Sequence, residues 1–177
     1  MAFVKSISEL EEGVSAVMTR FPDQEAPLLQ LADVLMCSGD CEFTVEQREL
    51  IFAYAAGVND CTYCYDTHKA TAEAVGIDSG LLDAMVKDLE SSPVDDRLKP
   101  ILRFVRKLTQ APENMLQTDV DEILDAGWDE KCFHFAVMIC GMSNMMSRLI
   151  EGYGITSTAE VRHSRGRLLA TAGYLPR

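Results

Sequence analysis

The sequence is short of positive charge and of long apolar runs. Its 177 residues include 16 Lys and Arg against 28 Asp and Glu, which gives a formal net charge of −12 and a pI near 4.6. An acidic surface of this kind repels phosphate backbones and anionic membranes, so nucleic-acid binding is disfavoured. No stretch approaches the roughly 18 apolar residues of a spanning helix, and the first residues contain no apolar run of signal-peptide length. These absences favour a cytoplasmic location.

The alternation of apolar and polar residues that is typical of half-buried strands is also missing. Apolar residues recur at helical spacing instead, with no internal repeat or low-complexity segment. The sequence therefore predicts an all-α fold of about eight or nine helices, in a single domain over residues 1–177. A capping box, Ser8-Glu9-Leu10-Glu11, predicts an N-terminal helix over 8–21. We interpret this helix and a C-terminal helix over 158–172 as packing or oligomer extensions.

Two predicted helices near the first third of the chain meet at a tight turn. Gly57 suits the C′ position of the first helix, because glycine enters the left-handed conformation without steric cost. Asp60 suits the N-cap of the second helix, which makes Cys61 its first residue. Helical geometry then places Cys61, Cys64 and His68 on one face of that helix.

A pair of thiols at this spacing is suited to redox chemistry. Cα atoms three apart on a helix are about 5 Å from each other, within the range that a disulfide tolerates. The helix N-terminus stabilises a thiolate, and His68 lies one turn after Cys64, where it can accept a proton. Glu49, on the preceding helix, can orient His68. We favour Cys64 as the thiol that His68 deprotonates, but the helix N-terminus favours Cys61, so the attacking cysteine stays open.

Other interpretations of these residues compete with the redox one. Cysteine is among the most buried residue types, so Cys61, Cys64 and His68 could be purely structural. A zinc site is less favoured, because no second Cys-x-x-Cys or His-x-x-x-His follows to complete a tetrahedron. Haem attachment requires a histidine directly after the second cysteine, and the spacing here excludes it. The sequence therefore predicts no metal and no bound cofactor.

The motif resembles the active site of the AhpD-like, carboxymuconolactone decarboxylase superfamily, and especially its peroxidase-related branch. The similarity rests on Glu49, eleven residues, Cys61-Thr-Tyr-Cys64, three residues and His68. It extends to further segments between about Glu25 and Ile155: Arg48-Glu49-Leu50-Ile51, Phe104-Val105-Arg106-Lys107-Leu108-Thr109, Asp125-Ala126-Gly127-Trp128-Asp129-Glu130 and Asn144-Met145-Met146-Ser147-Arg148-Leu149.

The resemblance implies a function and a set of site residues. Glu49, Cys61, Cys64 and His68 would be the redox residues of a thiol-dependent peroxidase or disulfide oxidoreductase, which an external dithiol or thiol reductant protein would regenerate. Tyr63 stands where the AhpD protein has a further histidine, and tyrosine is common there in the peroxidase-related branch. Tyr63 is therefore a substrate or relay candidate. The resemblance also implies a homo-oligomer: a dimer, trimer or hexamer.

Two alternatives from other classes stay open. One is a lyase like carboxymuconolactone decarboxylase, which does not depend on a cysteine pair. The other is a non-enzymatic oligomeric binding protein. The sequence does not identify the physiological substrate or reductant.

The remaining cysteines lack a motif. Cys37 and Cys41 flank a glycine turn and are interpreted as small apolar residues, while Cys132 is expected only to pack and Cys140 suits a buried position. Thr44-Val45-Glu46-Gln47 predicts the start of the helix that carries Glu49, and Arg48 is expected to be solvated. Methionines of the long helix near residues 130–151 could line a substrate channel, although core or subunit packing is their commoner use: Met138, Met142, Met145 and Met146.

Overall fold

The computed structural model describes residues 2–8, 13–38 and 40–175, and all regular elements in these ranges are helical. The α-helices are α1 (Lys5–Ser8), α2 (Val14–Arg20), α3 (Pro22–Asp33), α4 (Val45–Val58), α5 (Thr62–Ala74), α6 (Leu81–Lys87), α7 (Lys99–Gln110), α8 (Gln117–Asp125), α9 (Glu130–Tyr153) and α10 (Ala159–Ala172). A π-helical segment, Val34–Ser38, follows α3, and a 3₁₀ turn, Pro112–Asn114, follows α7. The all-α prediction is confirmed, with ten α-helices in the described ranges where eight or nine were predicted. The single-domain assignment stays a prediction.

The N-terminal helix differs from its predicted bounds of 8–21. Ser8 is the last residue of α1 rather than an N-cap, and residues 9–11, the rest of the predicted capping box, lie outside the described ranges. Gly13 precedes α2 with a φ of 87°, so a continuous helix cannot pass through it. The C-terminal prediction of 158–172 agrees with α10, whose N-cap Thr158 accepts a hydrogen bond from the backbone N–H of Val161.

Helix α4 is the centre of the core. Thr44 and Gln47 form the predicted capping box at its start. The seven residues from Leu50 to Ala56 are each at most 2% exposed, because α5, α7 and α9 surround the helix. A helix that is apolar on all sides is buried in this way. In the described part of the chain, no helix is both long and apolar enough to cross a bilayer.

The turn between α4 and α5 is built differently from the prediction. Helix α4 continues through Gly57, and the chain turns at Asp60, which has a φ of 55°. The Cys61 N–H donates to the carbonyl of Ala56 and the Asp60 N–H to that of Gly57, which is a Schellman motif. Asp60 therefore holds the left-handed position predicted for Gly57. Cys61 is consequently the N-cap of α5 and not its first residue.

Two glycines allow helices to approach closely around α5. A Cβ atom at Gly166 of α10 would lie 2.3 Å from the backbone oxygen of Thr67, so only glycine lets α10 lie this close to α5. A Cβ at Gly57 would lie 2.8 Å from the Val86 side chain of α6. The helix that carries the cysteine motif is thus held tightly between α4, α10 and the core.

Candidate active site

Glu49 and His68 form a buried hydrogen bond. The Nδ1 atom of His68 lies 2.8 Å from Oε2 of Glu49, and the residues are 8% and 1% exposed. A carboxylate can only accept, so Nδ1 carries the hydrogen and the lone pair of the neutral ring is on Nε2. The ring also stacks on Phe52, with centroids 3.7 Å apart. Helices α4 and α5 therefore fix both the tautomer and the orientation of this histidine.

Tyr174, from the segment after α10, completes this hydrogen-bond network. Its hydroxyl donates to Oε1 of Glu49 at 2.7 Å and lies 3.3 Å from Nδ1 of His68. Burial and the neighbouring Glu49 carboxylate raise the pKa of Tyr174 well above its usual value, so the hydroxyl stays a donor. Sequence reasoning missed this residue, because no local pattern connects a tyrosine near position 174 with a glutamate on α4.

Cys61 and Cys64 are buried free thiols at the start of α5. The Cys64 thiol hydrogen-bonds to Cys61 and lowers the pKa of Cys61, which burial opposes. The same interaction and burial raise the pKa of Cys64. The directions of these shifts favour Cys61 over Cys64 as the thiolate, and the deprotonation of Cys64 by His68 stays a prediction. The physical reason is that Cys64 is the proton donor within the pair, while Cys61 is at the N-cap, where the helix N-terminus favours an anion.

Two buried hydroxyls at this site have no hydrogen-bond partner among the described residues. One is Oγ of Ser147 on α9, and the other is Oγ1 of Thr67 on α5. The Ser147 hydroxyl lowers the pKa of both Cys61 and Cys64, because it can donate to a thiolate. An unused donor beside a thiol pair is suited to stabilising a charge that appears only during reaction. Ser147 lies in one of the segments that resemble the AhpD-like family, but the sequence alone did not indicate a role for it.

A mainly apolar cavity of about 60 Å³ adjoins the pair. Its lining includes Cys64 and His68, so the second cysteine and the histidine face one space. Helices α2 and α3 supply Val14, Met18, Leu28, Leu29 and Ala32, and other elements supply Phe52, Tyr63, Thr67, Met142, Met146, Arg165, Leu169 and Tyr174. Two of the four methionines named from the sequence thus border the site. Cys61 borders a separate, more open groove between α5 and α6.

Tyr63 lines the cavity but directs its hydroxyl toward the N-terminal segment. Its Oη accepts a hydrogen bond from the backbone N–H of Val14 at 3.2 Å. Burial raises the pKa of Tyr63, so the hydroxyl is uncharged near neutral pH. Its contact with the start of α2 gives Tyr63 a positioning role, and its predicted part in a proton relay stays a prediction.

Three of the remaining cysteines do not join this site, and no metal-binding cluster is found in the described ranges. Among the described residues, no three His, Cys, Asp or Glu side chains cluster as a metal ion would require. Cys140 is buried against α7, where its Sγ lies 3.4 Å from Oγ1 of Thr109. Cys41 and Cys132 meet each other on another side of α4, with their sulfurs 3.4 Å apart.

Comparison with solved structures relates this fold to peroxidase-related proteins. An uncharacterized peroxidase-related protein from Silicibacter sp. TM1040 matches with a TM-score of 0.78 at 21% identity, covering 87% of this chain and 80% of that one. The alkylhydroperoxidase AhpD core of an uncharacterized peroxidase-related protein from Ralstonia eutropha JMP134 gives 0.77 at 20% identity, with the same coverage. A putative antioxidant defence protein AhpD from Agrobacterium tumefaciens gives 0.71 at 17% identity, over 80% of this chain and 95% of that one.

These similarities establish the fold. No protein-family model matches the sequence, and comparison with curated proteins finds no match. The chain nevertheless has the helical fold of AhpD-like, peroxidase-related proteins, as the sequence resemblance predicted. Because identity is about 20% and all three proteins are uncharacterized or of unknown function, the activity has to be argued from the site.

Proposed function

We propose that this protein is a thiol-dependent peroxidase or disulfide oxidoreductase, with Cys61 and Cys64 cycling between dithiol and disulfide. The observation that carries the proposal is the Glu49–His68 hydrogen bond beside a cavity that Cys64 also lines. A buried carboxylate and histidine next to a coupled thiol pair are the groups that thiol activation needs.

The first step activates the pair. The Nε2 atom of His68 accepts one proton from the two thiols, and Glu49 stabilises the resulting imidazolium. The negative charge resides on Cys61, with Cys64 and Ser147 as hydrogen-bond donors. The pair titrates as a unit, so Cys64 can pass its proton to Cys61 when its own sulfur attacks. Cys64 is the attacking residue in this scheme, because it is the cysteine that lines the cavity.

The second step reduces a hydroperoxide. The Cys64 sulfur attacks the distal oxygen, an S–O bond forms, the O–O bond breaks, and the departing alkoxide takes the proton of His68. The Cys61 thiol then attacks the Cys64 sulfenic acid, an S–S bond forms, and water leaves with the Cys61 proton. An external dithiol, free or on a reductant protein, returns two electrons and two protons. The electrons and protons of this cycle are all accounted for without a metal ion or a bound cofactor.

The cavity favours a small, largely apolar hydroperoxide. Its volume of about 60 Å³ has room for only a few non-hydrogen atoms, and its lining is dominated by apolar side chains. The Thr67 hydroxyl, which has no hydrogen-bond partner among the described residues, can hydrogen-bond to a peroxide oxygen. We expect hydrogen peroxide and short alkyl hydroperoxides to react faster than lipid hydroperoxides or a protein disulfide. The enzyme would act as a homo-oligomer in the cytoplasm.

Peptide mass spectrometry tests the redox cycle directly. Trypsin should release residues 49–69, which contain Cys61 and Cys64 and no internal Lys or Arg. One equivalent of hydrogen peroxide should remove two hydrogens from this peptide, and dithiothreitol should restore them. Cys61→Ser and Cys64→Ser should each abolish turnover of tert-butyl hydroperoxide with dithiothreitol. If both cysteines stay fully alkylatable after oxidation, the proposal fails.

The alternatives give different results in the same experiments. A lyase like carboxymuconolactone decarboxylase would keep its decarboxylase turnover when Cys61 and Cys64 are both replaced by Ser. A binding protein would show thiols of ordinary reactivity and no turnover of peroxides or disulfides. Comparison of hydrogen peroxide, tert-butyl hydroperoxide, a fatty-acid hydroperoxide and a protein disulfide would identify the substrate class.

A further inference from the structure

A second thiol pair lies away from the Cys61–Cys64 site. The Sγ atoms of Cys41 and Cys132 are 3.4 Å apart, although the residues are separated by 91 positions in the chain. Cys41 lies in the loop between the π-helical segment and α4, and Cys132 lies in the first turn of α9. The interpretation of both residues as ordinary packing residues did not predict that they touch.

Several hydrogen bonds hold the two sulfurs in position. The Phe43 backbone N–H donates to Cys41 Sγ at 3.3 Å, and the Arg48 guanidinium donates to the Cys41 carbonyl at 3.4 Å. On the other side, the Asp129 carboxylate accepts from the Cys132 backbone N–H at 2.7 Å. The contact is therefore between two fixed backbone segments and not between two loose side chains.

An ion pair joins the same two segments. Asp40, next to Cys41, accepts a hydrogen bond from Lys131, next to Cys132, at 2.5 Å. The Lys131 side chain is half exposed and that of Asp40 almost fully exposed, so this pair contributes little to stability. It nevertheless lies directly beside the thiol contact and favours the approach of the two segments.

We propose that Cys41 and Cys132 form a second disulfide on exposure to hydroperoxides, which fastens the loop before α4 to the start of α9. The Cys41 sulfur attacks the peroxide, forming an S–O bond as the O–O bond breaks, and the alcohol or water leaves with the thiol proton. The Cys132 sulfur then attacks the Cys41 sulfenic acid, an S–S bond forms, and water leaves with the Cys132 proton. The hydroperoxide is the two-electron oxidant.

The order of attack follows from accessibility. Cys41 is half-buried, whereas Cys132 is fully buried. Burial and the hydrogen bond to Cys41 raise the pKa of Cys132 to about 12, so Cys132 stays a thiol until the sulfenic acid forms. Cys41 therefore reacts with the oxidant, and Cys132 then attacks the Cys41 sulfenic acid.

The second disulfide goes beyond the proposed peroxidase function and does not depend on it. The chain between its two ends contains α4 and α5, and with them Glu49, Cys61, Cys64 and His68. Closing a chain segment of this length restricts the unfolded state strongly. The oxidised protein is thus stabilised under the conditions in which a peroxide-reducing enzyme would work.

Peptide mapping after oxidation tests the link. Trypsin should release residues 21–48, with Cys37 and Cys41, and residues 132–148, with Cys132 and Cys140, neither with an internal Lys or Arg. Hydrogen peroxide followed by alkylation should yield these two peptides joined as one, and dithiothreitol should separate them. Cys37→Ser and Cys140→Ser are matched controls that should keep the link, while Cys41→Ser should abolish it.

Two further readouts separate this proposal from the proposed function. The link should also form when Cys61 and Cys64 are both Ser, because its chemistry does not use them. Oxidation should raise Tm by roughly 5 °C or more in the wild type and in Cys37→Ser, but not in Cys41→Ser. Full alkylation of both peptides after peroxide, a link that survives Cys41→Ser, or a linked protein with an unchanged Tm would each overturn the inference.

Discussion

The Tyr174 hydroxyl donates a hydrogen bond to the buried Glu49 carboxylate at 2.7 Å, joining residues 125 positions apart. Glu49 thereby interacts with two partners, because its other oxygen accepts from His68 at 2.8 Å. The segment after α10 is thus part of the candidate active site. A carboxylate buried this deeply depends on both hydrogen bonds.

Replacement of Tyr174 by Phe should destabilise the protein and slow thiol oxidation. The buried carboxylate would lose one of its donors, at a cost of about 1.5–3 kcal/mol in the free energy of unfolding. Tyr65→Phe is a matched control, because the Tyr65 hydroxyl donates to the exposed Asp83 carboxylate at 2.6 Å. Chemical denaturation and oxidation rates measure both variants. Equal losses in the two variants would contradict the role of Tyr174.

Loss of the proton acceptor should slow disulfide formation between Cys61 and Cys64. We expect His68→Ala to lower the oxidation rate at neutral pH by about 10² to 10⁴, the usual contribution of a general base. Glu49→Gln should lower the rate by less, because the histidine is kept but its cation is no longer stabilised. His134→Ala, at an exposed histidine of α9, is the control and should leave the rate unchanged. If stopped-flow measurements give the same oxidation rate for all three variants, Glu49 and His68 do not act as a proton relay.

Ser147→Ala should change reactivity without costing stability. The Ser147 hydroxyl lowers the pKa of Cys61, so its removal raises that pKa, and the rise of oxidation rate with pH moves to higher pH. Because this hydroxyl has no hydrogen-bond partner in the part of the chain that the structure describes, the free energy of unfolding should change little or increase.

The control for this variant lies one turn earlier on the same helix. Ser143 donates to the Phe52 carbonyl at 3.0 Å, so Ser143→Ala should cost about 1 kcal/mol of stability. It should not move the pH profile. A profile that shifts equally in both variants would show that the effect comes from α9 packing.

Gly166→Ala should separate α10 from α5. The added Cβ would lie 2.3 Å from the backbone oxygen of Thr67, so we expect a loss of about 1–3 kcal/mol in the free energy of unfolding. Oxidation should also slow, because the displaced α10 carries Tyr174 away from Glu49. Gly141→Ala, in an exposed part of α9 with open space around it, should instead gain about 0.5–1 kcal/mol. Chemical denaturation of the two variants measures both changes in the free energy of unfolding, and a Gly166→Ala variant as stable as the wild type would contradict the prediction.

We expect a homo-oligomer in solution. Leu168 on α10 is 51% exposed and Met145 on α9 is 40% exposed, and both are apolar side chains on long helices. Such residues are favoured at subunit interfaces, and symmetric association is the commonest arrangement of soluble oligomers. Light scattering at micromolar concentration and physiological salt should give at least twice the 19.6 kDa chain mass. A monomer mass would contradict this prediction.

Features with a local cause could be predicted from the sequence. The capping box at Thr44 starts α4 as expected, and the structure brings Glu49 and His68 together as the spacing indicated. The turn was predicted at Gly57 but lies three residues later, where Asp60 takes the left-handed conformation. Aspartate has a steric cost in that conformation and glycine has none, which is why the sequence favoured Gly57. Interactions between residues that are close along the chain can therefore be recognised in the sequence.

Features that depend on distant segments could not be predicted. Arg48 was expected to be solvated, but it is 4% exposed and donates to carbonyls before α4, those of Leu35, Cys41 and Phe43. The Cys41–Cys132 contact and the Tyr174 hydrogen bond likewise join elements far apart in the chain. Nothing near either partner in the sequence indicates the other.

The distance along the chain between Glu49 and Tyr174 also bears on the order of folding. Helices α4 and α5 are neighbours in sequence, and we expect them to pair early, since local contacts form faster than distant ones. We expect the cavity wall supplied by α9 and α10 to close afterwards. During refolding, the Cys64 thiol should therefore stay open to rapid alkylation after helical circular dichroism has recovered. Pulse alkylation would detect this interval as a late loss of Cys64 labelling.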